Sequence, residues 1–178
     1  NIFKGYDHYE LESKVFKYRE FINSEGDTQY HLVTNETPFY PEGGGQIGDT
    51  GEIISNSASI AVKNTFRDGE DIIHLVDNLP IELGDSLLMK IDKNRRLSIQ
   101  RNHTSTHLLQ FALKKTLGNH VEQRGSMLTE DIFRFDFSHQ SKLSNKELSD
   151  AEKIVKSLIK DEIQCIEEKQ ANYNDAVK

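Results

Sequence analysis

Between Asp92 and Leu117 the chain contains neither glycine nor proline, and Gly118 follows at once. That stretch constrains the fold more than any other, because it predicts one long helix closed by a glycine at the C′ position. Leu97, Leu108, Phe111, Ala112 and Leu117 fall near one of its faces. Upstream the character differs: short β-rich runs alternate with Ser, Asn and Gly clusters. Residues 31–34, Gly51–Ile54, 60–63, Asp71–Val76 and Ser86–Ile91 read as strands. Arg67-Asp68-Gly69 supplies a hairpin turn, and Gly84-Asp85 leads into the last strand. Short strands at this spacing suggest a small barrel or sandwich. Downstream, residues 132–137 alternate strictly and set three phenylalanines on one face of a strand. Ser144 and Glu147 then form a capping box ahead of Leu148, Ala151, Ile154, Val155, Leu158 and Ile159 at helical spacing. The expected fold class is α+β, divided into 1–91 and 92–178.

Charge and cysteine usage bound the function. The chain carries 22 Lys+Arg against 29 Asp+Glu, a net charge of −7, which opposes nonspecific nucleic-acid binding through the overall field. The basic residues are not spread evenly. Lys90, Lys93, Arg95, Arg96 and Arg101 cluster about the start of the long helix, opposed only by Asp92. Such a cluster is either a solvated helix face or a phosphate-contacting edge. A single cysteine, Cys165, excludes an internal disulfide framework and fits a reducing compartment, here the cytoplasm. No apolar run is long enough to form a membrane-spanning helix. An Asn1 start and a helix-compatible end at Asp175-Ala176-Val177-Lys178 are expected of a segment cut from a longer protein.

Two motifs carry chemistry. His103 and His107 stand one helical turn apart, so both imidazoles can reach a common point, as two zinc ligands do. The other reading is two unrelated surface histidines. Thr104 replaces the glutamate that a metalloprotease helix needs, and two ligands make only half a site. The second motif is Pro41-Glu42-Gly43-Gly44-Gly45-Gln46-Ile47-Gly48-Asp49-Thr50-Gly51. Its glycines match G-x-G-x-x-G in form, but a proline precedes them and a β-rich run follows, which is not the dinucleotide context. No Gly-Lys-Ser/Thr follows either, so it is not a Walker A loop. It is either a plain glycine-rich hairpin or a loop whose bare backbone lets a substrate come close.

Taken together these residues resemble the editing domain of the alanyl-tRNA synthetase family. Thr37-Pro38-Phe39-Tyr40 followed by the glycine-rich motif is similar to that family's signature, and Arg101-Asn102-His103-Thr104-Ser105-Thr106-His107 to its first zinc motif. Val121-Glu122-Gln123-Arg124-Gly125-Ser126, Arg134-Phe135-Asp136-Phe137-Ser138-His139 and Phe3-Lys4-Gly5-Tyr6-Asp7 match further blocks in the family's order. The resemblance implies an N-terminal β-barrel subdomain and an α+β editing core shared with threonyl-tRNA synthetase. It implies hydrolysis of tRNA(Ala) wrongly charged with serine or glycine, inside a parent that ligates alanine to tRNA with ATP and Mg bound outside this chain. It assigns His103 and His107 to zinc and Gln123, Thr37 and Gln46 to catalysis. It places Glu42, Gly43, Gly44 and Gly45 at the amino-acid end of the substrate, and the basic cluster, with Arg95, Arg96 and Arg101, is then the expected contact to the tRNA acceptor end. The family completes its zinc site with a downstream Cys-x-x-x-His. Cys165 begins Cys-Ile-Glu-Glu-Lys instead and is expected to be a strand thiol, leaving a half-site that binds zinc weakly. A free-standing trans-editing deacylase and a noncatalytic tRNA-docking module are the alternatives.

Overall fold

A computed structural model describes residues 1–55, 58–79 and 86–162. The expectations placed on Gly84-Asp85 and on Cys165 lie outside these residues. Among these residues eleven strands precede or separate two helices. They are β1 (Ile2–Phe3), β2 (Glu10–Ile22), β3 (Thr28–Thr34), β4 (Glu36–Thr37), β5 (Gly51–Ile54) and β6 (Ser59–Val62). Then come β7 (Asn64–Asp68), β8 (Asp71–Val76), β9 (Ser86–Ile91), α1 (Lys93–Leu117), β10 (Gln123–Leu128), β11 (Phe133–Phe137) and α2 (Asn145–Lys160). The chain forms two compact units. Of the described residues, one holds 1–107 and 122–138, and the other holds 108–121 and 139–162.

The first unit is built on a seven-stranded antiparallel sheet in the order β6-β5-β9-β2-β3-β8-β7. Its organising strand is β2, which no apolar run announces. The first half of β2 pairs with β9, from Glu10↔Lys90 to Lys14↔Ser86. The second half pairs with β3, from Val15↔Thr34 to Ile22↔Thr28, after a bulge between Val15 and Lys17. A bulge adds local twist, so one strand can serve two partners as the sheet coils round a core. That core contains Val15, Leu32, Phe39, Ile53, Ile60, Val62, Val76, Leu87, Met89 and Ile91. The sheet's outer strands β6 and β7 are consecutive, and Lys63 N–H between them donates to Leu75 C=O at 2.9 Å. No ladder joins β6 to β7 among the described residues, so the β-barrel that the resemblance implies is found as an open antiparallel sheet. Two small pairs complete the unit, β1 with β4 in parallel and β10 with β11 antiparallel.

Helix α1 begins where the sequence predicts. Asp92 caps it, its Oδ1 accepting from Arg95 N–H at 2.9 Å. Gly118 ends it at φ +114°, its N–H donating to Lys114 C=O. The buried face is the expected one only in part. Arg96, Ile99, Thr106, Ala112 and Leu113 are buried, whereas Phe111 is 46% exposed. In the second unit α2 carries the full capping box: Ser144 Oγ accepts from Glu147 N–H, and Glu147 Oε2 accepts from Ser144 N–H at 2.7 Å. Of its expected apolar face only Ala151 is fully buried, while Leu148 and Ile159 stay exposed. No helix among the described residues is long and apolar enough to cross a membrane.

Candidate functional site

The glycine-rich segment is a tight hairpin laid on β10. Gly43 and Gln46 exchange backbone hydrogen bonds at 3.0 Å in both directions. Leu128 N–H then donates to Gly45 C=O at 2.8 Å, and Ile47 N–H to Leu128 C=O at 3.2 Å. Gly45 has φ +84°, and a Cβ there would strike the Ser126 carbonyl, so glycine is needed for both conformation and room. Gly48 is likewise closed off by the Thr65 carbonyl. The glycines thus serve the close packing of two backbones, which selects between the two readings of the motif only as far as close approach goes.

Two buried polar clusters fix the ends of this segment. At its start Thr37 is fully buried, and its Oγ1 lies 2.8 Å from His74 Nε2. His74 Nδ1 faces Leu32 C=O at 2.9 Å, and a carbonyl only accepts, so Nδ1 carries the proton. Nε2 therefore accepts from the Thr37 hydroxyl, whose oxygen accepts from Phe39 N–H at 3.1 Å. Burial pushes the His74 pKa down to about 4, so the ring is neutral near pH 7. At the other end Asp49 pairs with Arg96, each side chain 2% exposed. Arg96 Nε donates to both Asp49 oxygens at 3.0 and 2.9 Å, Nη1 to Gly5 C=O at 2.8 Å and Nη2 to Pro38 C=O at 2.9 Å. Asp49 Oδ2 also accepts from Tyr40 N–H at 2.8 Å. A buried ion pair persists only when its remaining hydrogen-bonding capacity is met, and this one is tied into the backbone on three sides.

The histidine pair meets the segment at the Gln46 side chain. Gln46 is 4% exposed, and its Oε1 lies 3.1 Å from His103 Nδ1. The His103 and His107 rings lie 5.3 Å apart between centroids and 19° from parallel, facing the same way as the helical spacing requires. Burial, then the neighbouring His107, lowers the His103 pKa, which favours the neutral imidazole that a metal needs. The donor types and ring arrangement fit zinc. No third His, Cys, Asp or Glu completes a metal cluster among the described residues. Asn102 Nδ2 donates to Thr129 C=O at 2.8 Å, and Arg95 Nε reaches Glu130 Oε1 at 3.1 Å, which fasten this part of α1 to the β10–β11 turn.

The other residues named from sequence are distributed as follows. Glu42, Gly43, Gly44 and Gly45 form the exposed tip of the hairpin, with Gly44 O accepting from Ser126 Oγ at 3.2 Å. Gln123 is exposed at the start of β10, opposite Phe137. Thr37 lies in the core, away from any surface. Of the basic cluster, Lys90, Lys93 and Arg101 are exposed, while Arg95 is held by Glu130 and by Gly48 C=O at 2.8 Å. Arg96 is an internal brace with no surface to present to a phosphate. Its partner Asp49 and the Thr37 partner His74 carry no local signal, since each pair is far apart in sequence. An open cleft lined by Thr50, Gly51, Glu52, Lys90, Ile91 and Asp92 includes, of the basic cluster, only Lys90.

Comparison with known proteins places this arrangement in a class. Residues 1–95 match the family described as tRNA synthetases class II (A). The chain is 42% identical over 176 residues to an alanine–tRNA ligase of Cytophaga hutchinsonii, covering 99% of this chain and 20% of that protein. It is 39% identical to the alanine–tRNA ligase of Christiangramia forsetii and 37% to that of Bacteroides fragilis, over 98% of this chain and 20% of each relative. The chain therefore belongs to the alanyl-tRNA synthetase family of class II tRNA synthetases. It spans about a fifth of the length of these relatives.

Proposed function

We propose that the chain is the editing part of a cytoplasmic alanine–tRNA ligase, hydrolysing the ester of tRNA(Ala) mischarged with serine or glycine. The parent joins alanine to tRNA using ATP and Mg bound outside this chain. The observation that carries the reading is the Gln46–His103 contact, which joins the glycine-rich hairpin to the helix bearing the histidine pair. Ester hydrolysis needs a positioned water, charge stabilisation and exact placement of the acyl group. Water oxygen bonds to the carbonyl carbon, and the ribose oxygen leaves with a proton. The exposed hairpin tip of Glu42, Gly43, Gly44 and Gly45 holds the amino-acid end. Gln123 and Gln46 orient the reacting groups, and Thr37 shapes the segment from beneath through His74. Zinc on His103 and His107 would supply carbonyl polarisation or a bound water of lowered pKa, with its remaining ligands from outside the described residues. Arg101 and Lys93 present positive charge to the acceptor-end phosphates, and Arg95 and Arg96 position the segment from which the pocket is made. A pocket that hydrogen-bonds the serine hydroxyl disfavours alanine, which would leave buried polar groups unpaired.

The test is deacylation of Ser-tRNA(Ala) by the full-length ligase carrying this segment. His103→Ala and His107→Ala are expected to cut the rate at least about tenfold while leaving alanylation within about twofold. Unchanged deacylation in both variants would favour a tRNA-docking role and overturn the reading.

A further inference from the structure

The backbone of Gln46 is pinned on both sides. It exchanges hydrogen bonds with Gly43, and its neighbours Gly45 and Ile47 both bond Leu128. The side chain is therefore delivered to one place, nearly buried, where Oε1 stands 3.1 Å from His103 Nδ1. A carbonyl oxygen accepts and never donates, so the imidazole nitrogen facing it carries the proton. A neutral imidazole has a single N–H, and a proton on Nδ1 leaves the lone pair on Nε2. Metal-ligating histidines are oriented by such acceptors, which fix the tautomer and raise the basicity of the ligating nitrogen.

We propose that Gln46 is a positioning residue that holds His103 as the Nδ1–H tautomer and so makes Nε2 the nitrogen this site offers to a metal ion. The inference rests on reading His103 and His107 as a metal donor pair. A purely structural Gln46 would be equally satisfied by turning its amide over and donating Nε2–H to a bare His103 Nδ1. That alternative puts the imidazole proton on Nε2 and closes the ligand position. The two arrangements bury the same side chain and differ in where one proton sits.

The experiment is long-range 1H–15N NMR of the chain at about pH 8, where histidines are ordinarily neutral, first metal-free and then titrated with ZnCl2. His103 is expected to be Nδ1–H in the wild type. Gln46→Glu keeps that tautomer, because a carboxylate can only accept. Gln46→Leu returns the ring to the Nε2–H form and weakens zinc binding at least about tenfold relative to Gln46→Glu. His74, locked as Nδ1–H by Leu32 C=O, reports in the same spectra that each variant is folded. An Nε2–H His103 in the wild type, or a tautomer that Gln46→Leu leaves unchanged, overturns the proposal. If the tautomer responds as expected but zinc moves no ring resonance, the positioning role stands and the donor-pair reading is what fails.

Discussion

The two buried clusters that hold the glycine-rich segment solve one problem by opposite means. Arg96 and Asp49 use full charges, compensated by the Gly5 and Pro38 carbonyls and the Tyr40 N–H. His74 and Thr37 use neutral groups in a single chain of donors, from Phe39 N–H to Leu32 C=O. The ionic cluster tolerates no missing partner, because an unpaired buried charge is left behind. The neutral cluster tolerates no extra proton, because no carboxylate among the described residues faces its histidine to balance the charge. Between them the segment is fixed at both ends, and only its tip, 42–45, is left exposed to meet a substrate.

The comparison can be broken at either cluster, and the largest effect belongs to the ionic one. Arg96→Ala is expected to destabilise the protein by about 3–5 kcal/mol, measured by urea unfolding, since it strands the Asp49 carboxylate. A loss below about 1 kcal/mol would mean that water reaches Asp49 and that the pair is not buried in solution.

Acid comes next. The folded pKa of His74, about 4, lies below the ordinary 6.5, so the unfolded chain takes up its proton first as pH falls. Stability from this group is complete above about pH 6.5, declines between about 6.5 and 4, and falls no further below that. The loss amounts to about 3 kcal/mol. Comparing the pH dependence of unfolding in the wild type and His74→Gln isolates it, and parallel curves would show that His74 is not the group responsible.

Thr37→Val keeps the shape but removes the donor to His74 Nε2 and the acceptor for Phe39 N–H. A cost of about 1–3 kcal/mol is expected, with the acid-sensitive window retained. Smallest is Ser144→Ala, which removes the α2 cap in the other unit. It should cost about 1 kcal/mol and leave the properties of the glycine-rich segment unchanged. A shift in the His74 titration on Ser144→Ala would show that the two units are coupled.

What could be read in the sequence was what local chemistry writes into adjacent residues. Helix α1 from Asp92 to Gly118, the Ser144–Glu147 box and the Phe133–Phe137 alternation all follow from short-range rules and are all found. Strand β2 was not legible. Its charged residues dilute the apolar alternation, and the bulge near Val15 shifts its parity midway. The buried face of α1 departs from its periodicity for a related reason. Arg96 is inside because Asp49, far back in the chain, neutralises it there, and no periodicity reports a distant partner. The histidine pair and the glycine-rich motif stand out by spacing, yet their junction through Gln46 joins residues 57 positions apart, which no local pattern reports.

That junction is most directly tested by a double-mutant cycle on Ser-tRNA(Ala) deacylation in the full-length ligase, combining Gln46→Leu with His103→Ala. If hairpin and helix act as one site, the double variant loses no more activity than His103→Ala alone. Losses that multiply would contradict it, because each side chain would then act through a separate route.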